Sequence, residues 1–197
     1  MANGLSILAM AAAYVQQSET MEMPDDLPRF GIRGATPSDI PLLETVERSA
    51  IEVFRGVNLG FLVNQPTVDP LLLNGIAAAN HLWIAVNDWD QPIGFLGGQN
   101  IDGNFHLVGM WVAQGFQGNG VGKALMATMV DQIWREGYKS VTLTTYRDVP
   151  WNGPWAKKMG FMEITPKTMG KQYSDILKLE GKRGLDPKTR CLMQKTF

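Results

Sequence analysis

The feature that most constrains this chain is the run Gln117-Gly118-Asn119-Gly120-Val121-Gly122-Lys123, set between an apolar stretch from Leu107 to Val112 and an amphipathic one from Val121 to Glu136. A glycine-rich loop between a strand and a helix commonly cradles phosphate. Glycine lets the backbone approach the anion, and the first N–H groups of the helix point at it. Three designs compete here. The dinucleotide fingerprint G-x-G-x-x-G fails at Lys123, and no acidic residue is well placed about 20 residues on to hold a ribose. The P-loop, G-x-x-x-x-G-K-[ST], finds Gly122-Lys123 but meets Gln117 at its first glycine and Ala124 at its hydroxyl. The third design, Q/R-x-x-G-x-G/A behind an antiparallel strand, is met by Gln117, Gly120 and Gly122. A bare glycine turn with no ligand is the bland alternative.

Periodicity around the loop sets the architecture. Phe30 to Ala35 reads as a short strand. A helix follows from Ser38 to about Phe54, with Leu42, Leu43, Val46 and Ala50 on one face. Residues 55–68 read as loop, and Asp69-Pro70 opens a helix over Leu71 to Asn80, with Asp as N-cap and Pro at the first helical position. His81 to Val86, Pro92 to Ile101 and Phe105 to Val112 form an antiparallel meander joined by short polar turns. The helix after the glycine loop carries Leu125, Met129 and Ile133, widened by Met126, Val130 and Trp134, and stops at Gly137. Lys139 to Tyr146 is a strand, Trp151 to Met159 a short helix, and Gly160-Phe161 starts another strand. A helical piece near 173–180 and a last strand from Cys191 to Phe197 complete the order. Strands first and a strand–helix–strand unit later indicate a layered α/β (α+β) domain.

Downstream of the loop, Thr144-Thr145-Tyr146-Arg147-Asp148-Val149-Pro150-Trp151-Asn152-Gly153-Pro154 runs on to Met159-Gly160-Phe161, and Gly184-Leu185-Asp186-Pro187 precedes the last strand. With the loop, these segments resemble the GNAT superfamily of acetyl-CoA-dependent N-acetyltransferases, in a branch with a T-x-R-D-V-P-W-N-x-P run. The resemblance covers residues 30–197 and leaves 1–29 as an N-terminal helix and linker. It implies a central mixed sheet of six or seven strands, flanked by helices, whose fourth and fifth strands splay apart. It also implies acetyl-CoA as co-substrate. Met110, Trp111 and Val112 would meet the pantetheine arm, and the amides of Gln117, Gly118, Asn119, Gly120, Val121, Gly122 and Lys123 would bind the pyrophosphate. Lys123 reads equally as a solvated first-turn lysine. Asn152 would bond the pantetheine region, or cap the helix that follows it. Trp111 and Trp155 are expected to shape an apolar acceptor pocket.

The chain departs from the family where protons move. The tyrosine that serves as acid is replaced by Ala156, and the positions of the glutamate base hold Val108 and Gly109. Acid–base help is typically worth about 10²–10⁴-fold, so its loss matters. The candidate substitutes are Tyr146 as acid and His106 as base, with Tyr173 and Asp148 behind them. The bland readings are a strand-end aromatic for Tyr146 and a half-exposed strand residue for His106. The expected reaction is acetyl transfer to an amine, of a small molecule rather than a protein, by direct attack in a ternary complex. The alternatives are an acyl-CoA-binding module without catalysis, or another reaction on a metabolite.

Composition excludes other classes. A net charge of -1 over 197 residues lacks the basic patch that a nucleic-acid binder needs. One cysteine, Cys191, and two distant histidines, His81 and His106, give no metal site and no internal disulfide. A cytoplasmic setting follows, and a second copy of the chain is a candidate partner. The apolar stretch Leu5 to Val15 lacks a preceding Lys or Arg, so residues 3–17 read as a packing helix rather than a signal. At roughly eleven residues the stretch is too short for a membrane span.

Overall fold

Residue alternation over 82–112 builds three consecutive antiparallel strands, and the rest of the sheet grows from them. The structure, a computed structural model, describes residues 29–197, so the expected N-terminal helix lies outside the described residues. In chain order the elements are β1 (Gly31–Gly34), α1 (Ile40–Ile51), α2 (Pro70–Ala78), β2 (Leu82–Val86), β3 (Pro92–Ile101), β4 (Asn104–Val112), α3 (Val121–Arg135) and β5 (Ser140–Tyr146). Then come α4 (Gly153–Lys158), β6 (Met162–Ile164), α5 (Lys171–Lys182) and β7 (Arg190–Thr196). The seven strands lie in the order β1-β2-β3-β4-β5-β7-β6. Every neighbouring pair is antiparallel except β4 and β5.

Helices cover both faces. Leu125, Met129 and Ile133 of α3 and Trp155 of α4 pack on Phe105, Leu107, Met110, Val141 and Leu143. On the opposite face, Leu43 and Ala50 of α1 and Leu73 and Ile76 of α2 pack on Ile84, Phe95, Val108, Trp111 and Tyr146. Helix α5 joins this second face, where Tyr173 packs with Ile101 and Leu192.

Local chemistry accounts for the boundaries. Asp69 Oδ1 accepts the Leu71 N–H at 2.8 Å and caps α2, with Pro70 as its first residue. Helix α1 ends earlier than expected, at Ile51, and tightens into 3₁₀ turns over Glu52–Val57 and Gly60–Asn64. These turns place Phe54 and Leu62 in the core and occupy much of the expected loop. Two side chains face the other way from expectation. Leu42 is 51% exposed and Trp134 60%, each at the edge of a stripe that the sheet is too narrow to cover.

The place on α1 where a leucine would serve holds Glu47, four residues from Leu43 and three from Ala50. It is buried, and its Oε2 accepts the Val68 N–H at 3.0 Å, which ties the segment before α2 to α1. Burial pushes its carboxyl from 4.5 up to about 7, against the opposing pull of the Val68 N–H and Arg48. Between those values the native protein keeps a proton that the unfolded chain has released. This stabilising contribution is therefore complete below pH 4.5 and is lost as pH rises through 7. Glu47→Gln keeps an acceptor for Val68 without the charge. Its stability relative to the parent should improve by about 3 kcal/mol between pH 4.5 and 8. Urea melts at both pH values check this, and parallel pH dependences of the two proteins would contradict it.

Candidate active site

Strands β4 and β5 run side by side for only three residue pairs, Phe105 with Val141, His106 with Thr142 and Leu107 with Leu143. Beyond Leu107 their register ends, while β5 continues to pair with β7 through Tyr146 and β4 with β3 through Val112. The two strands open into a wedge. A bulge lies at its apex, since Gly98 pairs with Leu107 and Gly97 with Gly109, leaving Val108 as the extra residue on β4.

The glycine loop stands at the open end of the wedge. Gly118 and Gly120 have φ of 83° and 85°, a left-handed conformation that glycine adopts without strain. A methyl group on either would meet nothing within 4 Å, so the space over the loop is open. The Ala124 N–H is the first to close back on the Gly120 carbonyl, at 3.0 Å. The amides of 121–123 thus precede the helical ladder and face outward with the positive end of the helix dipole. Gly122 packs on Met110 and Val112, whose side chains support the start of α3. Lys123 is exposed.

Gln117 works inward. Its Nε2 donates to the Val112 carbonyl at 2.9 Å and to the Ala50 carbonyl at 3.4 Å, and its backbone N–H reaches the Gln114 carbonyl. With the Gln114 N–H donating to Ser49 Oγ, the loop is moored to β4 and α1. The arrangement suits a diphosphate: an open cradle, unladdered amides and a braced base. Asn152 is fully buried at the start of α4, and its side chain makes no capping bond.

The expected acid and base positions are closed by packing. Trp111 folds back along β4, stacked on Phe95 with ring centroids 4.6 Å apart. A methyl group on Gly109 would lie 1.8 Å from the Trp111 ring, so the indole occupies the space of a side chain at 109. Ala156, on the inner side of α4, is fully buried in the core cluster. The pairing of Trp111 with Trp155 in one acceptor pocket also fails. The two indoles lie on opposite faces of the sheet.

His106 and Tyr146 both lie on the α1–α2–α5 face, but apart. His106 is in register with Thr142, four residues before Tyr146 on β5, a separation of about 13 Å along the strand. They do not form one proton-transfer pair. His106 is 1% exposed rather than half-exposed, and burial lowers it to about 4, so it is neutral at physiological pH. Its Nδ1 lies 3.0 Å from Thr142 Oγ1, which lies 3.0 Å from the Tyr173 hydroxyl, which donates to the Ile101 carbonyl. Because that carbonyl only accepts, the hydroxyl protons point toward it along the chain. Nδ1 then donates to Thr142, and Nε2 keeps a lone pair. Among the described residues, no group pairs with Nε2. Tyr146 lies in the open half of the wedge, raised to about 12 by burial, with its hydroxyl unpartnered among the described residues and Arg190 4.7 Å from its ring centroid.

Sequence reasoning passed over two groups on this face. One is Glu47, whose place in the α1 stripe was the available signal. The other is a buried ion pair, Glu180 with Arg190 at 2.8 and 3.0 Å, joined by Thr144 Oγ1 at 2.6 Å. Glu180 lies on an amphipathic helix, and Arg190 at the start of a strand, with no local pattern to mark their meeting. Among the described residues, no cluster of three or more His, Cys, Asp or Glu is placed to hold a metal. None of their helices is long and apolar enough to cross a membrane.

A splayed parallel pair facing a glycine loop at a helix start defines a coenzyme A-dependent acyltransferase fold. The model of the acetyltransferase (GNAT) family matches residues 51–161, more than half of the chain, and the chain belongs to that family. Among solved structures it is similar to the PaiA N-acetyltransferase of Thermoplasma acidophilum in complex with coenzyme A. That match has 14% identity over 86% of this chain and 99% of that one, with a TM-score of 0.66. It is also similar to N-acetylglutamate synthase of Neisseria gonorrhoeae complexed with coenzyme A and N-acetyl-glutamate. There the identity is 16% over 85% of this chain but only 35% of that one, with a TM-score of 0.63. A third is the ribosomal-protein-S18-alanine N-acetyltransferase of Escherichia coli, at 15% identity over 85% and 94% of the chains and a TM-score of 0.59. At such identities the likeness is one of fold.

Gly109→Ala should destabilise the protein by about 1–3 kcal/mol, because the methyl group displaces the Trp111 ring. Trp111→Leu should remove most of that penalty, giving a coupling of at least about 1 kcal/mol in a double-mutant cycle. Additive effects in denaturant melts would show that the indole does not occupy this space.

Proposed function

We propose that this protein transfers the acetyl group of acetyl-CoA to the amine of a small molecule, by direct attack in a ternary complex. The observation that carries the proposal is the wedge between β4 and β5, with the braced glycine loop at its open end. The amides of 118–123 hold the diphosphate there. Met110, Trp111 and Val112 line the pantetheine arm along the β5-facing edge of β4, and Asn152 contacts it from the start of α4. The arm runs from the open end toward the apex, which brings the thioester to Val108. Coenzyme A in the Thermoplasma and Neisseria structures supports the cofactor, and N-acetyl-glutamate in the latter supports a small acceptor. The net charge of -1 supports a reading without nucleic acid as partner, and the single cysteine supports a cytoplasmic one.

At the apex, His106 Nε2 accepts a hydrogen bond from the amine and aligns its lone pair on the thioester carbon. As the C–N bond forms, the nitrogen's proton becomes acidic and passes to Nε2. The C–S bond breaks with its electron pair leaving on sulfur, and the thiolate takes a proton from water or from His106. A backbone N–H of β4 polarises the carbonyl oxygen. Tyr146, too far along β5 for this step, donates its O–H to the arm. A second reading, binding without catalysis, is favoured by the closed positions at Gly109 and Ala156.

Gly120→Glu should abolish coenzyme A binding in calorimetry while the fold persists, since the carboxylate enters the diphosphate position. Unchanged affinity would refute the loop assignment. With acetyl-CoA and a panel of amines, thiol release should be measurable; binding without release would install the second reading. His106→Gln should lower kcat by about 10²-fold or more. Tyr146→Phe should chiefly raise KM for acetyl-CoA. The opposite pattern would reverse the two roles.

A further inference from the structure

A groove runs along the outer side of α3, between that helix and the ends of α4 and β7. Met126, Val130 and Trp134 of α3 line it, with Met159 behind α4 and Lys195 and Phe197 from the last strand. About 400 Å³ of space lies in it, within the roughly 300–1,000 Å³ usual for ligand sites. Its lining is poorly matched to water. Trp134 is 60% exposed and Phe197 44%, and Val130 and Met159 are half-buried beside them. Single apolar residues on a surface are ordinary, but four that share one groove mark a face that something covers.

The chain itself supplies the cover. Leu5 to Val15 carries no charged side chain and lies outside the described residues. The described chain begins on the matching side of the sheet, since Phe30 and Ile32 pack into the same cluster as Met126 and Ile133 of α3. Residues 16–29 extend to at most about 50 Å, more than twice the length of α3 at 1.5 Å per residue. As a helix, residues 5–15 are about 16 Å long, enough to cover the 12 Å or so between Met126 and Trp134.

Charge agrees. Glu19, Glu22, Asp25 and Asp26 give residues 1–28 four carboxylates and no Lys or Arg. Lys195 donates to the Met159 carbonyl at 2.9 Å and meets no carboxylate among the described residues. The opening on the other flank of α3 is walled by Arg33, Asn80, Thr128 and Gln132, which suit a polar occupant. A second copy related by a two-fold axis would set groove against groove and fill neither.

We propose that residues 5–15 dock as a helix in this groove of their own chain, against Trp134 and Phe197. The segment braces the outer side of α3 and leaves the wedge and the α1–α2–α5 face open. This inference does not depend on the acetyl-transfer reading.

Disulfide trapping in the full chain tests it. Ala9→Cys, Ala11→Cys, Ala12→Cys and Ala13→Cys are each combined with Ala127→Cys in the groove, or with Leu71→Cys, exposed on α2 across the sheet. The native Cys191 is buried and stays out of mild oxidation. A disulfide needs β-carbons about 4 Å apart, and the four positions span a helical turn, so at least one should link to 127 within the chain about tenfold faster than to 71. Equal rates to both sites, or no link at all, overturn the proposal. Links that form only between chains overturn it too and assign the groove to a second copy. Chymotrypsin gives an independent reading at Tyr14. Trp134→Asp, at an exposed position, should speed that cleavage about tenfold or more, while Trp134→Phe keeps the protection and both variants keep the parent's affinity for coenzyme A. Tyr14 cut as fast in the parent as in a synthetic peptide of residues 1–28 would contradict docking.

Discussion

The parting of β4 from β5 after Leu107 and Leu143 is the constraint on which the rest of the site depends. A parallel pair normally continues to the end of its shorter strand, because each further residue places backbone groups in a ladder. Here β5 stays committed to β7 up to Tyr146, and β4 bulges at Val108 and follows β3. The sheet gives up several ladder positions and gains an opening through its middle. Ligands in open α/β sheets sit where strands diverge, and the cofactor site proposed for this protein uses such an opening within a mostly antiparallel sheet. Gln117 completes the arrangement by tying the glycine loop to the end of β4 and to α1, so wedge and loop are held in one frame.

Two faces then take different work. The face under α3 and α4 is packed with aliphatic side chains and sulfur-bearing residues, and it braces the loop through Met110 and Val112. The opposite face collects the polar chemistry: His106, Thr142, Thr144, Tyr146, Glu180 and Arg190. The strand period of two puts His106, Thr142, Thr144, Tyr146 and Arg190 on one side of β4, β5 and β7 while their neighbours fill the core, and α5 brings Glu180 over them. The chain Ile101–Tyr173–Thr142–His106 fixes which imidazole nitrogen carries the proton. That ordering leaves Nε2 as the acceptor nitrogen of a fully buried, neutral histidine.

Much of this was legible in the residues. The meander, the loop after its third strand and the helix behind it follow from alternation, glycine placement and a stripe at helical spacing. Asp69-Pro70 announced α2 outright. The side-chain geometry was less legible, because it depends on contacts between distant segments. Nothing local to Gly109 says that the Trp111 ring covers it. Nothing near His106 says that α5 closes over it and strips its water. Glu47 was readable from its place in the α1 stripe, whereas the Glu180–Arg190 pair forms only once β7 lies beside β5. Trp134 and Leu42 failed in the other direction, since periodicity names a face but not the width of the surface that covers it.

Amide hydrogen exchange with and without acetyl-CoA tests the central claim most directly, because it reads the backbone of the wedge and the loop together. Protection should rise at residues 110–112 and 118–123, on opposite sides of one bound molecule, with little change in β1 or β2. Protection that rises elsewhere, or leaves both segments as they were, would contradict a cofactor held between β4 and β5.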